Sequence, residues 1–228
     1  MNNDENCNDP HCWLIREGIK HTHPRDRNLE EYFELLDSEI QNYVMEYYFN
    51  WRQKELSGSI KEDKGNVVGY VQGTIDSAEE LRVSLKDIQH LSIIQVFKKF
   101  GFSGKDFQIT DSLNSPIGYL KSKALHWNSF LLKDLVSNDL IKIEFGSDQM
   151  LVKSSSGKTI AKCVFEEIEK PKIKRIERIV GSNPTHHSCL ISILDLSVGK
   201  KYIFEALLFY LGKKHLEFYL NGGDLPAG

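Results

Sequence analysis

The sequence predicts an α+β fold, mainly an antiparallel β-barrel around a hydrophobic C-terminal helix, with a long amphipathic helix before the barrel. Three features of the 228-residue chain predict it: an apolar stripe near the start, a repeated turn-and-strand unit, and an unbroken apolar segment near the end. We therefore expect a polar segment over residues 1–27, an amphipathic helix over residues 28–57 and a barrel domain over residues 58–222.

The predicted N-terminal helix begins at Asn28, a favourable N-cap, with Glu31 three residues later as in a capping box. Apolar residues then follow at spacings of three and four, which is typical of one face of a helix. They are Leu29, Phe33, Leu36, Ile40, Tyr43, Tyr47 and Trp51. Two interpretations stay open: the stripe packs on the rest of the chain, or it pairs with a second copy in a homodimer through residues 28–56.

The repeated unit is a turn followed by an aliphatic, a small, a variable and a second aliphatic residue. Its turns lie at residues 64–66, 113–115 and 156–158, and a candidate strand precedes each one. Gly and Asn adopt the left-handed turn conformation easily, so each unit is predicted to be a β-hairpin. Three hairpins in order favour a barrel or a sandwich.

Other segments supply further strands. Residues 81–85 and 140–145 alternate apolar and polar side chains, residues 189–193 are rich in apolar side chains, and residues 173–179 alternate less regularly. Residues 91–97 and 130–135 suit either a strand or a short helix. Residues 202–211 are apolar or aromatic on every helical face, apart from Glu205. A helix of this kind must be buried on all sides, and a barrel interior would bury it.

Charge is distributed unevenly along the chain. The net charge is −3 overall, −8 over residues 1–90 and +5 over residues 91–228. The overall value argues against a dedicated nucleic-acid binder, which usually carries a basic excess, so no nucleic-acid partner is expected. The basic part predicts contact with an anionic lipid headgroup, and the candidate ligand-binding residues are Lys172, Lys174, Arg175 and Arg178. Neighbouring glutamates support the alternative of a solvated surface with salt bridges.

No catalytic motif occurs in the chain. An enzyme, as a hydrolase or transferase, would need a site assembled from distant loops, for which His126, His186 and His187 with a carboxylate are the candidates. Adjacent residues on a strand face opposite sides, which argues against a shared site for the last two. We expect no cofactor and no metal, although residues 7–23 contain scattered Cys and His.

The cellular location is predicted from two absences in the sequence. The first 25 residues show no secretory signal pattern, and no apolar run reaches the length that spans a bilayer. We therefore expect a cytoplasmic protein with free thiols, with a peripheral position at a membrane as the alternative.

Several of these segments together resemble the tubby C-terminal-like superfamily, which includes phospholipid scramblases and LURP-one-related proteins. The residues that carry the resemblance are 95–100, 107–120, the hairpin over 150–164, and 193–196. The resemblance implies a closed barrel around a hydrophobic helix, and a non-enzymatic module that binds anionic lipid or a protein partner. The chain lacks the acidic calcium-binding run and the cysteine-rich segment of scramblases, so lipid scrambling is not expected.

Overall fold

The structure is a computed structural model that describes residues 33, 40–50, 53–75, 80–99, 107–123, 126–167 and 185–220. Within these residues the chain forms twelve strands and one long helix, α1 (Lys200–Leu220). The strands are β1 (Asn42–Asn50), β2 (Glu55–Glu62), β3 (Val67–Ile75), β4 (Glu80–Lys86), β5 (Ser92–Lys99), β6 (Phe107–Asp111), β7 (Pro116–Lys123), β8 (His126–Lys133), β9 (Asp139–Phe145), β10 (Gln149–Ser154), β11 (Thr159–Glu167) and β12 (Thr185–Ile193).

The strands form a closed barrel in which each strand pairs antiparallel with the next one along the chain. The barrel closes where β1 pairs with β12, with Asn42 opposite Ser192 and Phe49 opposite Thr185. Closure leaves none of the twelve described strands with an open edge for pairing with another chain. Together with α1, this architecture confirms the predicted antiparallel barrel with a C-terminal helix.

Helix α1 lies inside the barrel, and aromatic rings from strands around its circumference contact it. The ring of Phe209 lies 4.8 Å from that of Phe107 on β6 and 4.7 Å from that of Phe130 on β8. On another side, Tyr210 stacks on Phe165 of β11 at 3.8 Å. Residues 203–211 are all buried, as the apolar segment predicts.

The predicted helix over residues 28–57 is wrong in its second half. Residues Asn42–Asn50 form β1 and Glu55–Glu62 form β2, so the barrel begins before residue 58. Tyr43 and Tyr47 are four residues apart, which keeps two side chains on one face of a helix and also on one face of a strand. The structure shows the two-residue period, because Met45 and Phe49 are buried as well. Residues 28–32 and 34–39 lie outside the described residues.

The three predicted hairpins are confirmed as the β2–β3, β6–β7 and β10–β11 pairs. The residues expected in the left-handed conformation have φ values of 86° at Gly65, 62° at Asn114 and 88° at Gly157. A small residue after a turn allows close strand approach at Gly118, where an added Cβ would lie 2.6 Å from the carbonyl oxygen of Lys133.

The remaining strand predictions are also confirmed wherever the structure describes them. Residues 81–85, 140–145 and 189–193 lie in β4, β9 and β12, and residues 92–97 of the ambiguous segment 91–97 lie in β5. Most of the segment 130–135 lies in β8, and residues 173–179 lie outside the described residues. No helix within the described residues is both long enough and apolar enough to span a bilayer.

Candidate functional site

A pocket of about 440 Å³ opens on the barrel wall where β12, β1, β2 and β3 run side by side. We call it the aromatic slot. It is lined by Glu46, Tyr47, Tyr48, Ser57, Gly58, Ser59, Tyr70, His186 and His187. A volume of this size lies within the range of small-ligand pockets.

Strand alternation decides which side chains face outward into the slot. On β1 the buried side chains of Tyr47 and Phe49 alternate with the exposed side chain of Tyr48. Ser57 pairs with Tyr48, and Ser59 pairs with Glu46 and Tyr70, so two small hydroxyl side chains lie between two tyrosines. Because β1 and β3 flank β2, their backbones are about 10 Å apart.

Each tyrosine that flanks the slot contacts a histidine ring. Tyr48 lies 5.7 Å from His186, its cross-strand neighbour on β12, in a tilted arrangement. Tyr70 stacks on His90, with ring centroids 4.3 Å apart and an interplanar angle of 20°. These ring contacts restrict the rotamers of the two tyrosines before any ligand arrives, which reduces the entropy lost on binding.

Gly58 lies at the base of the slot, where the absence of a side chain leaves space. A Cβ at this position would lie 2.6 Å from the carbonyl oxygen of Glu46 and 2.7 Å from Cβ of Tyr47, so a larger residue would push β1 and β2 apart.

Below Gly58, Tyr47 stacks on His187 with ring centroids 5.2 Å apart. Burial raises the pKa of Tyr47 well above its usual range, so its hydroxyl stays neutral.

One ion pair borders the slot. Lys61 Nζ donates to Glu46 Oε2 at 2.6 Å, and both side chains are partly exposed. A pair of this kind contributes only about 0–1 kcal/mol. The Glu46 carboxylate can therefore exchange Lys61 for a cation of a ligand at little cost, particularly for a guanidinium that donates two hydrogen bonds.

Together these groups form a surface suited to a flat cation. Two tyrosine faces attract a cation through their ring quadrupoles, a carboxylate supplies the opposite charge, and serine hydroxyls accept hydrogen bonds. A guanidinium uses all three interactions because it is planar, always charged and rich in donors.

The residues predicted for lipid binding, Lys172, Lys174, Arg175 and Arg178, lie outside the described residues. The candidate catalytic histidines are separated as strand alternation predicts: His186 is exposed and His187 is buried. His126 is on β8, and three strands lie between β8 and β12 in the barrel. The structure thus brings His186 close to Tyr48, and it does not bring His126 close to His186.

Cys163 and Cys189 are buried free thiols, as predicted. Burial raises the pKa of the Cys189 thiol well above its usual range, which makes this thiol a poor nucleophile. The Cys and His residues between 7 and 23 lie outside the described residues. In the part of the chain that the structure does describe, no three Cys, His, Asp or Glu side chains come close enough together to hold a metal ion.

Sequence reasoning missed the slot. Tyr48 falls within the predicted helix over residues 28–57, and Tyr70 follows the predicted hairpin turn at residues 64–66, and neither prediction gives these side chains a role. The signal that could have found the slot is the run Ser57-Gly58-Ser59, because two small outward residues around a glycine leave space on a strand.

No protein-family model matches the chain, and no curated protein matches it at a significant level. Among solved structures, an X-ray structure of a protein from Arabidopsis thaliana aligns with 78% of this chain and 95% of its own, with a TM-score of 0.42 and 12% sequence identity. Similarity at this level supports neither a family nor a function.

Proposed function

We propose that the chain is a non-enzymatic binding module that recognises a basic segment of a protein partner on the outer wall of its barrel. The observation that carries this proposal is the aromatic slot, where Tyr48, Tyr70 and Glu46 surround a floor of two serines. The partner inserts an arginine side chain, which stacks against a tyrosine and donates to the carboxylate.

The charge that supports a cationic partner is local to the slot. The described residues between 40 and 90 contain six Asp and Glu against five Lys and Arg, so this wall of the barrel is nearly neutral as a whole. The carboxylate that a cation meets in the slot is that of Glu46. Opposite charge at the point of contact favours a basic segment over an anionic headgroup there.

The architecture supports a binding role on the outside of the barrel. Helix α1 fills the interior with buried side chains such as Leu207 and Phe209, so a ligand must bind to the outer wall or to an end. Membership of the tubby C-terminal-like superfamily is part of this proposal, and it is supported by the closed antiparallel barrel with its internal C-terminal helix.

Substitutions that remove one wall of the slot test the proposal. The probe is a fluorescein-labelled peptide of alternating glycine and arginine, and its anisotropy is followed as the full chain is added. An exposed cation–π contact is worth about 0.5–1 kcal/mol, so Tyr48→Ala or Tyr70→Ala should weaken binding about twofold to fivefold. Glu46→Gln should weaken it by a similar factor and reduce its dependence on salt.

Leu190→Ala provides the matched control, because Leu190 is an exposed side chain on β12 outside the slot. It should bind the peptide as the wild type does. Equal binding by the wild type and by all three slot variants would contradict the proposal, and so would the absence of any binding at low salt.

Anionic-lipid binding is the second candidate function, and the basic cluster of Lys172, Lys174, Arg175 and Arg178 favours it. Each such residue near an anionic surface is worth about 1 kcal/mol. On the described wall, in contrast, lysines pair with carboxylates: Lys153 lies 2.5 Å from Glu144, and Lys158 lies 2.5 Å from Asp195. These pairs reduce the positive potential available to a headgroup.

A further inference from the structure

The register of strands β1, β2 and β3 arranges the side chains around the slot in two parallel rows. Each row contains one residue of each strand, and its residues lie opposite one another in the strand pairing. The rows are two residues apart along each strand, so both face outward and are separated by about 6.8 Å. The acidic row is Glu46, Ser59 and Tyr70, and the amide row is Tyr48, Ser57 and Gln72.

The two rows have nearly the same composition in opposite order. Each has a serine on β2 and a tyrosine at one end, and each tyrosine contacts a histidine ring: Tyr70 with His90, and Tyr48 with His186. Gly58 lies midway between the rows on β2. A half-turn about Gly58 therefore carries one row approximately onto the other, and the surface offers two similar subsites side by side.

The two subsites differ at the end opposite the tyrosine, where Glu46 and Gln72 have the same shape but different charge. Lys61 Nζ donates to Glu46 Oε2 at 2.6 Å, and Lys86 Nζ donates to Gln72 Oε1 at 2.5 Å. Glu55 is the next residue of β2 on the same face beyond the amide row. Two carboxylates and two lysines leave this surface neutral as a whole, so a ligand distinguishes the rows by the groups that it contacts directly.

The direct contacts differ in hydrogen-bonding capacity. A carboxylate only accepts hydrogen bonds, which fits a guanidinium in the acidic row. The Gln72 carboxamide already accepts from Lys86 and retains an NH₂ group that donates. A primary amide of a ligand can accept from this NH₂ group, donate to Ser57 Oγ and lie flat on the Tyr48 ring. A carboxylate is disfavoured there, because the face of the ring is negative.

The distance between the rows indicates the shape of the ligand. In an extended segment, side chains two positions apart point the same way and are also about 6.8 Å apart. A segment that lies along β2 can therefore place one side chain in each row. We infer that the slot binds two residues of its partner, an arginine in the acidic row and, two positions away, an asparagine or glutamine in the amide row. This inference rests on the proposed recognition of arginine and specifies the sequence around it.

Two peptides of identical composition test the spacing with the full chain. Both are fluorescein-labelled heptapeptides of five glycines, one arginine and one glutamine. One glycine separates the arginine from the glutamine in the spaced peptide, whereas the two are adjacent in the other. Adjacent side chains of an extended segment point to opposite faces, so the adjacent peptide can fill only one row. We expect the spaced peptide to bind about twofold to tenfold more tightly, the range that one net hydrogen bond provides.

Substitutions of Gln72 identify the amide row. Gln72→Ala should remove the advantage of the spaced peptide and leave binding of the adjacent peptide unchanged. Gln72→Glu gives both rows a carboxylate, so it should change the preference to a spaced peptide with arginine at both positions. Gln108→Ala is the matched control, because Gln108 is an exposed glutamine on β6 and two strands separate β6 from β3. It should bind both peptides as the wild type does.

The outcomes separate this inference from the proposed function. Equal binding of the spaced and adjacent peptides, with both weakened by Glu46→Gln, would overturn the inference and leave the proposed function standing. An advantage of the spaced peptide that survives Gln72→Ala would also overturn it. If neither peptide binds the wild type, or if Glu46→Gln changes neither affinity, the proposed function fails and this inference fails with it.

Discussion

A carboxyl group buried within the barrel gives the chain a specific pH dependence. Glu205 on α1 is 3% exposed, and burial raises its pKa from the ordinary value of 4.5 to about 8, with nearby Lys201 opposing the rise. The folded state therefore holds a proton that the unfolded state releases above pH 4.5. Stability must fall as the pH rises from 4.5, and the loss is complete once the pH passes the folded pKa.

The magnitude follows from the two pKa values. One unit of pKa difference is worth about 1.4 kcal/mol, so the raised pKa of Glu205 lowers the free energy of unfolding by roughly 3 kcal/mol at pH 7 and by up to roughly 5 kcal/mol at pH 9. Glu205→Gln keeps the shape of the neutral acid and removes the titration. We expect this variant to be little more stable than the wild type at pH 5, and more stable by about those amounts at pH 7 and pH 9.

Urea unfolding, followed by far-UV circular dichroism at pH 5, 7 and 9, measures this difference. Contributions from other titrating groups are the same in both proteins, so they cancel in the comparison. Glu166→Gln, at an exposed position on β11, is the matched control and should not separate from the wild type at any pH. If the free energy of unfolding of Glu205→Gln exceeds that of the wild type by the same amount from pH 5 to pH 9, the reasoning is refuted.

Three further outcomes are expected. Leu208→Asp should abolish cooperative thermal unfolding, because an unpaired charge in the core costs several kcal/mol, whereas Leu135→Asp at an exposed tip should retain a transition. Burial lowers the pKa of His215 to about 4, so its contribution to stability is present above pH 6.5 and is lost as the pH falls toward 4. His215→Leu should therefore lose less thermal stability than the wild type over that interval. If the basic cluster binds lipid, anionic vesicles should retain the protein at low salt, and changing Lys172 and Lys174 to Glu should reduce sedimentation with them at least tenfold.

The parts of the fold that could be predicted are those with a local cause. Gly65, Asn114 and Gly157 mark turns because they adopt positive φ values easily, and the hairpins follow from these turns. The segment 202–211 must be buried on every face wherever it lies, which predicts an internal helix.

The N-terminal error also has a local cause. The stripe containing Tyr43 and Tyr47 has a spacing of four, which fits both helix and strand periods. Pairing with β12 decides between them, and that partner is distant in the sequence.

The aromatic slot could not be predicted, because no local pattern joins its parts. Tyr48, Tyr70 and His186 come from three strands, and His186 reaches Tyr48 only because β12 closes the barrel onto β1. Sequence alone identified His186 as a possible catalytic group beside His187. Strand alternation separates these two side chains and leaves His186 beside a tyrosine.

The central claim is that the slot recognises a guanidinium, and a titration followed by NMR tests it most directly. The ring resonances of Tyr48 and Tyr70 are monitored while a short peptide containing one arginine is added, and again with the same peptide containing citrulline, which is similar in shape and uncharged. We predict that the arginine peptide shifts both tyrosine signals in a saturable manner and that the citrulline peptide does not. Equal shifts with the two peptides, or no shift of either ring, would contradict the account.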